Sequence, residues 1–137
     1  MEIMNSIAIA ASGMHAQGDR LRVISQNIAN ADTAATMPGE DPYRRKTIVF
    51  KNVMDKEIGA QIVKNGGIKE DMKSQFKLRF QPDHPGADAN GYVRLPNINT
   101  LIETMDMREA QRSYEANLGM IEIAKSMMGR TLDLLRG

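Results

Sequence analysis

The last third of the chain constrains its fold most. No proline interrupts the run from Asn97 to Arg136, and Met107, Tyr114, Ile121, Met128 and Leu135 recur at seven-residue spacing. Leu118 and Leu132 fall on the partner position, which Gln111 and Lys125 also occupy. Alternating steps of three and four are the pattern of a helix packed lengthwise on another helix. Thr100 followed by Glu103 predicts a capping box at its start, just after Pro96. At 1.5 Å per residue the helix is roughly 50 Å long. A stripe so narrow on a helix so long requires a partner.

The first segment, from about Ile3 to Ala31, repeats the pattern. Ile7, Met14, Leu21 and Ile28 share one heptad position, and Ala10, Gln17, Ile24 and Ala31 share the other. Ala8, Ala11, Ser12, Gly13, Ala16 and Gly18 thin its first half. Small residues let another backbone approach, while each glycine costs a helix about 1 kcal/mol relative to alanine. The economical solution pairs the two terminal helices with each other and then with copies from neighbouring subunits.

Between them the chain changes character. Asp32 to Pro42 is a turn-rich loop. Arg44 to Asn52 alternates as a strand. Ala60 to Lys64 reads as a second strand, closed by a turn at Asn65-Gly66-Gly67 and answered by Ile68 to Met72. Gln75 to Gln81 and Tyr92 to Leu95 are further strands, separated by a loop from Pro82 to Gly91. The predicted class is mainly α: long terminal helices in a coiled-coil-like hairpin, with a small irregular β-rich insert. The expected division is 1–33 (N-terminal helix), 34–96 (insert) and 97–137 (C-terminal helix), the two helices forming one assembly domain.

Composition narrows the functional classes. Aromatics are 4% of the chain, Trp is absent and Met numbers 11, so adaptable contacts outweigh a rigid enzyme-like core. A net charge of +1 gives no electrostatic case for nucleic acid or an anionic membrane. The lack of Cys removes disulfides, thiolate chemistry and Cys-based zinc. No stretch reaches the roughly 18 apolar residues of a membrane span. Met1 to Ala11 lacks a basic n-region and makes a poor secretory signal, so if the protein leaves the cytoplasm it is expected to do so by a route that cleaves none.

Candidate chemical groups read as structural. Asp83-His84 with Asp88 lies in a proline-broken loop and supplies too few converging ligands for a metal; its acids suit turn hydrogen bonds. His15 sits on the first helix as a packing or rim residue. Arg44-Arg45-Lys46 pairs with acids more readily than with phosphate, and Gly66-Gly67 lacks the Gly-Lys-Ser/Thr of a phosphate loop. Glu109 with Arg112, Glu122 with Lys125 and Arg108 with Glu115 read as a salt-bridged helix face. Asn27, Asn30, Asn97, Asn99 and Asn117 suit helix caps or register-fixing seam positions.

Several blocks then resemble a known family. They are Ser12-Gly13-Met14-His15-Ala16-Gln17, Arg20-Leu21, Ile24-Ser25 and Asn27-Ile28-Ala29-Asn30-Ala31-Asp32-Thr33 at the start. Asp83-His84-Pro85, Gly91-Tyr92-Val93, Leu95-Pro96-Asn97-Ile98-Asn99 and the run Met105 to Asn117 agree as well. Together they resemble the bacterial flagellar rod, hook and distal-rod proteins over nearly the whole chain, least over Val53 to Ser74. Extra residues separate Thr33 from Pro38-Gly39 and Tyr43-Arg44-Arg45, which is similar to the C-type proximal-rod subunits.

The resemblance implies a structural, non-enzymatic subunit of the basal-body proximal rod, without cofactor or metal. It implies export through the flagellar type III apparatus and residence in the periplasm-spanning rod. The implied partners are copies of itself, the B- and F-type rod subunits and the small adaptor FliE. Subunit packing is expected at Ile7, Met14, Leu21, Ile24, Asn27, Ile28 and Asn30 on the first helix. On the second it is expected at Met107, Tyr114, Asn117, Leu118, Ile121, Met128, Leu132 and Leu135. The alternative is a soluble helical-hairpin binding or regulatory module, which would show a stable monomer with an open apolar groove.

Overall fold

The computed structural model describes residues 2–137; Met1, the first residue of the N-terminal segment, lies outside them. Helix α1 spans Glu2–Ala29 and helix α2 spans Thr100–Arg136. They run antiparallel: Asn27 meets Glu103, Arg20 meets Asp106 and Glu109, and Gly13 meets Asn117. Strands β1 (Lys46–Asp55) and β2 (Ala60–Glu70) form an antiparallel hairpin registered from Lys46↔Glu70 to Asp55↔Ala60. Strands β3 (Lys77–Phe80) and β4 (Tyr92–Leu95) form a second antiparallel pair.

The first helix is the middle layer. One face packs on α2 and another on the β1–β2 hairpin. On the sheet side Ala16 and Val23 are buried, the Ser12 hydroxyl accepts the Val63 N–H at 3.2 Å, and Asn5 donates to the Ile58 carbonyl at 3.1 Å. A second buried cluster, Val93, Leu95, Pro96 and Ile98, joins β4 to the start of α2.

This overturns the expected mainly α, coiled-coil-like hairpin with an irregular insert. The arrangement is helix–strand–helix, with two antiparallel sheets, and β1–β2 is a packed layer. The heptad reading gave α1 a single buried stripe, whereas Ala16 and Val23 lie off that stripe and bury a second face.

The hairpin turn also falls elsewhere. It is formed by Lys56 to Gly59, where Gly59 takes φ +65°, and β2 runs unbroken through Asn65-Gly66-Gly67. Those glycines serve an irregularity opposite Val49, where the register shifts between Ile48 and Phe50. A Cβ on Gly66 would stand 2.9 Å from the Val49 carbonyl oxygen, and Gly67 adopts φ +124°. The cap of α2 is Asn99, whose side chain accepts the Leu101 N–H at 3.0 Å. Glu103 turns instead into the helix–helix interface, so the Thr100–Glu103 capping box does not form.

Candidate assembly interface

The surface that pairs α1 with α2 is built from small side chains. On α2, Glu103, Ala110 and Ala124 are buried, with Ala110 at 0% exposure. Met107, Tyr114, Asn117, Ile121 and Met128 are half-buried beside them. On α1, Ala10, Ile24 and Asn27 are buried. The helices crowd closely at Gly13, where a Cβ would lie 2.7 Å from the Asn117 amide nitrogen. The glycine lowers helix propensity and in return lets Asn117 seat against the α1 backbone.

At the end of the pair where β1 begins, a polar node joins both helices to the sheet. Asn27 Oδ1 accepts from the Tyr43 hydroxyl at 3.1 Å and from the Lys46 N–H at 3.0 Å. Its amide donates to the Lys46 carbonyl at 2.8 Å and to Glu103 Oε2 at 3.2 Å. Every hydrogen-bonding direction of that amide is filled. The Glu103 carboxylate, at 1% side-chain exposure, also receives the Arg45 guanidinium, which reaches Asp106 at 3.5 Å. Asn97 clamps the same turn: it accepts the Arg45 N–H at 2.8 Å and donates to the Asp71 and Ser74 carbonyls. Burial raises the Tyr43 phenol above its usual pKa, helped by the nearby Glu103 and Glu70 carboxylates.

The expected packing residues divide. Ile24 and Asn27 are buried, and Ile7, Met14, Leu21, Ile28, Asn30, Met107, Tyr114, Asn117, Ile121 and Met128 are half-buried. Leu118, Leu132 and Leu135 face solvent at 40%, 52% and 79% exposure. Within the subunit, the row beginning at Met107 is half-buried as far as Met128. Its partner row is Glu103, Ala110, Asn117 and Ala124 instead of Gln111, Leu118, Lys125 and Leu132. Alanine and glutamate carry little apolar signal, so of this row the sequence pattern singles out Asn117 alone for packing. Its small residues, set against the small residues of α1, were the available clue.

The other polar candidates are engaged within the chain. His84 Nδ1 accepts the Gly86 N–H at 2.9 Å, and Asp88 accepts the N–H groups of Asn90 and Tyr92. Arg44 pairs with Asp41 and lies 4.4 Å from the Phe76 ring centroid. Lys46 stands over the Tyr43 ring. Glu109 reaches across to Arg20 at 3.5 Å, and among the described residues the helix-face pairs expected with Arg112, Lys125 and Arg108 do not form.

Comparison with known proteins agrees with this geometry at both ends of the chain. The flagella basal body rod protein family matches residues 7–34, and the C-terminal region of the flagellar basal body rod FlgEFG proteins matches residues 89–134. The chain is 46% identical to the flagellar basal-body rod protein FlgC of Agrobacterium fabrum, over 93% of this chain and 91% of that one. It is 40% identical to the FlgC of Borreliella burgdorferi over the full length of both, and 40% identical to that of Salmonella typhimurium over 98% of both. The chain belongs to the FlgC family of flagellar basal-body rod proteins and is a structural subunit of that rod.

Proposed function

We propose that this rod subunit polymerises through the outer surfaces of its paired terminal helices and transmits torque as a mechanical element with no catalytic role. The observation that carries this reading is the apolar surface that α2 leaves uncovered after pairing with α1. Met120, Ile123 and Met127, spaced by three and four residues, form one stripe at 54%, 58% and 51% exposure. Leu118, Leu132 and Leu135 are exposed as well, at other angles around α2. In this reading residues 1–33 and 97–137 form the assembly domain, and 34–96 faces outward or adjusts contacts between rows. The seam residues Ile7, Met14, Leu21 and Ile28 hold α1 where the outer stripe can be presented.

The neighbours in this reading are copies of the chain, the B- and F-type rod subunits and FliE. The subunit reaches the periplasm through the flagellar type III apparatus without a cleaved signal. Contacts of this heterologous kind generate an open helical assembly. Ile123→Asp with Met127→Asp tests the proposal in cells lacking the native subunit. Both side chains are exposed, so the purified variant should unfold within about 0.5 kcal/mol of the native chain. Swimming should be lost and basal bodies should end short of a complete rod. Native swimming by the double variant would refute assembly through this face and favour an autonomous binding module.

A further inference from the structure

The antiparallel register sets where the helix pair ends. Asn27 lies opposite Glu103 and Gly13 opposite Asn117, fourteen residues along each helix. Continued at the same pitch, Glu2 falls opposite Met128. Residues 129–136 of α2 therefore extend past α1 by about 12 Å. All of them are exposed, and Leu132, Leu134 and Leu135 are open at 52%, 82% and 79%. Leu135 continues the row of Met107, Tyr114, Ile121 and Met128 that packs on α1, so an interface already formed within the subunit runs on without a partner. A large aliphatic side chain left in water forgoes the stabilisation that burial supplies.

Along one side of the helix pair lies an open groove of about 510 Å³, lined by Ala11, Met14, Gly18, Tyr114 and Ile121. A Cβ on Gly18 would meet nothing within 4 Å. From Ala11 to Arg22 the groove follows α1 for about 17 Å, long enough to hold the overhang. Its rim carries His15 and the Asp19–Arg22 ion pair, and the overhang carries Arg130, Asp133 and Arg136, so each side holds both signs of charge.

We propose that this groove receives the residue 129–136 overhang of a second copy of the chain, seated head to tail. The inference rests on assembly through the terminal helices and names the segment and groove that meet. Each copy gives one helix end and accepts another, so the contact is heterologous and propagates.

The chain has no cysteine, which permits a direct test with Gly18→Cys and Leu135→Cys in one chain. Within a single copy these positions are about 35 Å apart along the pair, far beyond disulfide reach. Oxidation of basal bodies from cells carrying only this double variant should give a ladder of dimers and larger products, and neither single variant should cross-link. No ladder from basal bodies that contain the variant, in cells that swim, would overturn the proposed seat while leaving rod assembly intact. Cross-linked dimers from either single variant would overturn it in favour of a symmetric contact. Absence of the unsubstituted chain, carried in parallel, from basal bodies would sink the assembly reading and this inference with it. At Gly18 an added Cβ meets open space, so Gly18→Leu projects into the groove; the purified variant should keep the native circular dichroism spectrum and lose assembly. Native swimming by Gly18→Leu would overturn the proposal.

Discussion

Glu103 ties the helix pair to the start of the sheet. Its carboxylate is buried where α1, α2 and the start of β1 meet, and Arg45 and Asn27 satisfy it. A buried charge with its partners in place adds little net stability, but one stripped of a partner is strongly unfavourable. Arg45→Met should therefore cost about 3 kcal/mol or more, because it leaves the carboxylate buried and short of its cation. Arg45→Met combined with Glu103→Met should cost less than the single substitution, since the charge is removed together with its partner. Urea unfolding of the two single variants, the double variant and the native chain reads the coupling directly; additive losses would show that the pair does not interact. The sequence showed Glu103 as a plausible cap residue. Its burial was not legible, because the groups that satisfy it lie 58 and 76 residues away in the chain.

At the scale of elements, hydrophobic period located both helices, while the seam partner of α2 and the hairpin turn depended on information the period does not carry. Ala110 and Ala124 are buried because their size allows close approach, and an apolar-knob pattern weights large residues over small ones. Asn65-Gly66-Gly67 has the composition of a hairpin turn, yet its glycines accommodate the Val49 irregularity inside β2. Local chemistry is the same in both cases, and only the register with β1 distinguishes them. Two glycines should consequently respond to alanine with opposite signs. Gly67→Ala forces a side chain onto φ +124° and should destabilise the fold by about 1–3 kcal/mol. Gly119→Ala, in α2 with open space around its Cβ, should stabilise by up to about 1 kcal/mol. Thermal unfolding of the pair checks both signs, and stabilisation by Gly67→Ala would rule out the strained bulge.

Across the whole molecule, α1 joins two layers whose secondary elements do not otherwise pack on each other: α2 on one side and β1–β2 on the other. The terminal heptads made the α1–α2 pairing legible, but the sheet's place against α1 was hidden because Ala16 and Val23 interrupt no heptad and announce no second face. This layering couples regions distant in sequence. Asn27 alone bonds to the Lys46 backbone at the start of the sheet and to Glu103 on α2, so loosening α1 removes support from both neighbours at once. If load passes through the helices as proposed, such coupling shares strain on one layer with the others instead of peeling the sheet away. Native-state amide exchange should therefore show β1–β2, α1 and the part of α2 up to Met128 opening as one cooperative unit, while residues 129–136 exchange freely in the dispersed subunit. Ala16→Glu places a charge between α1 and the sheet, and it should lower protection in β2 and in α2 by similar factors although α2 lies on the opposite side of α1. Loss of protection confined to β1–β2 would mean that the sheet opens by itself, and the subunit would then behave as a helix pair carrying a detachable hairpin.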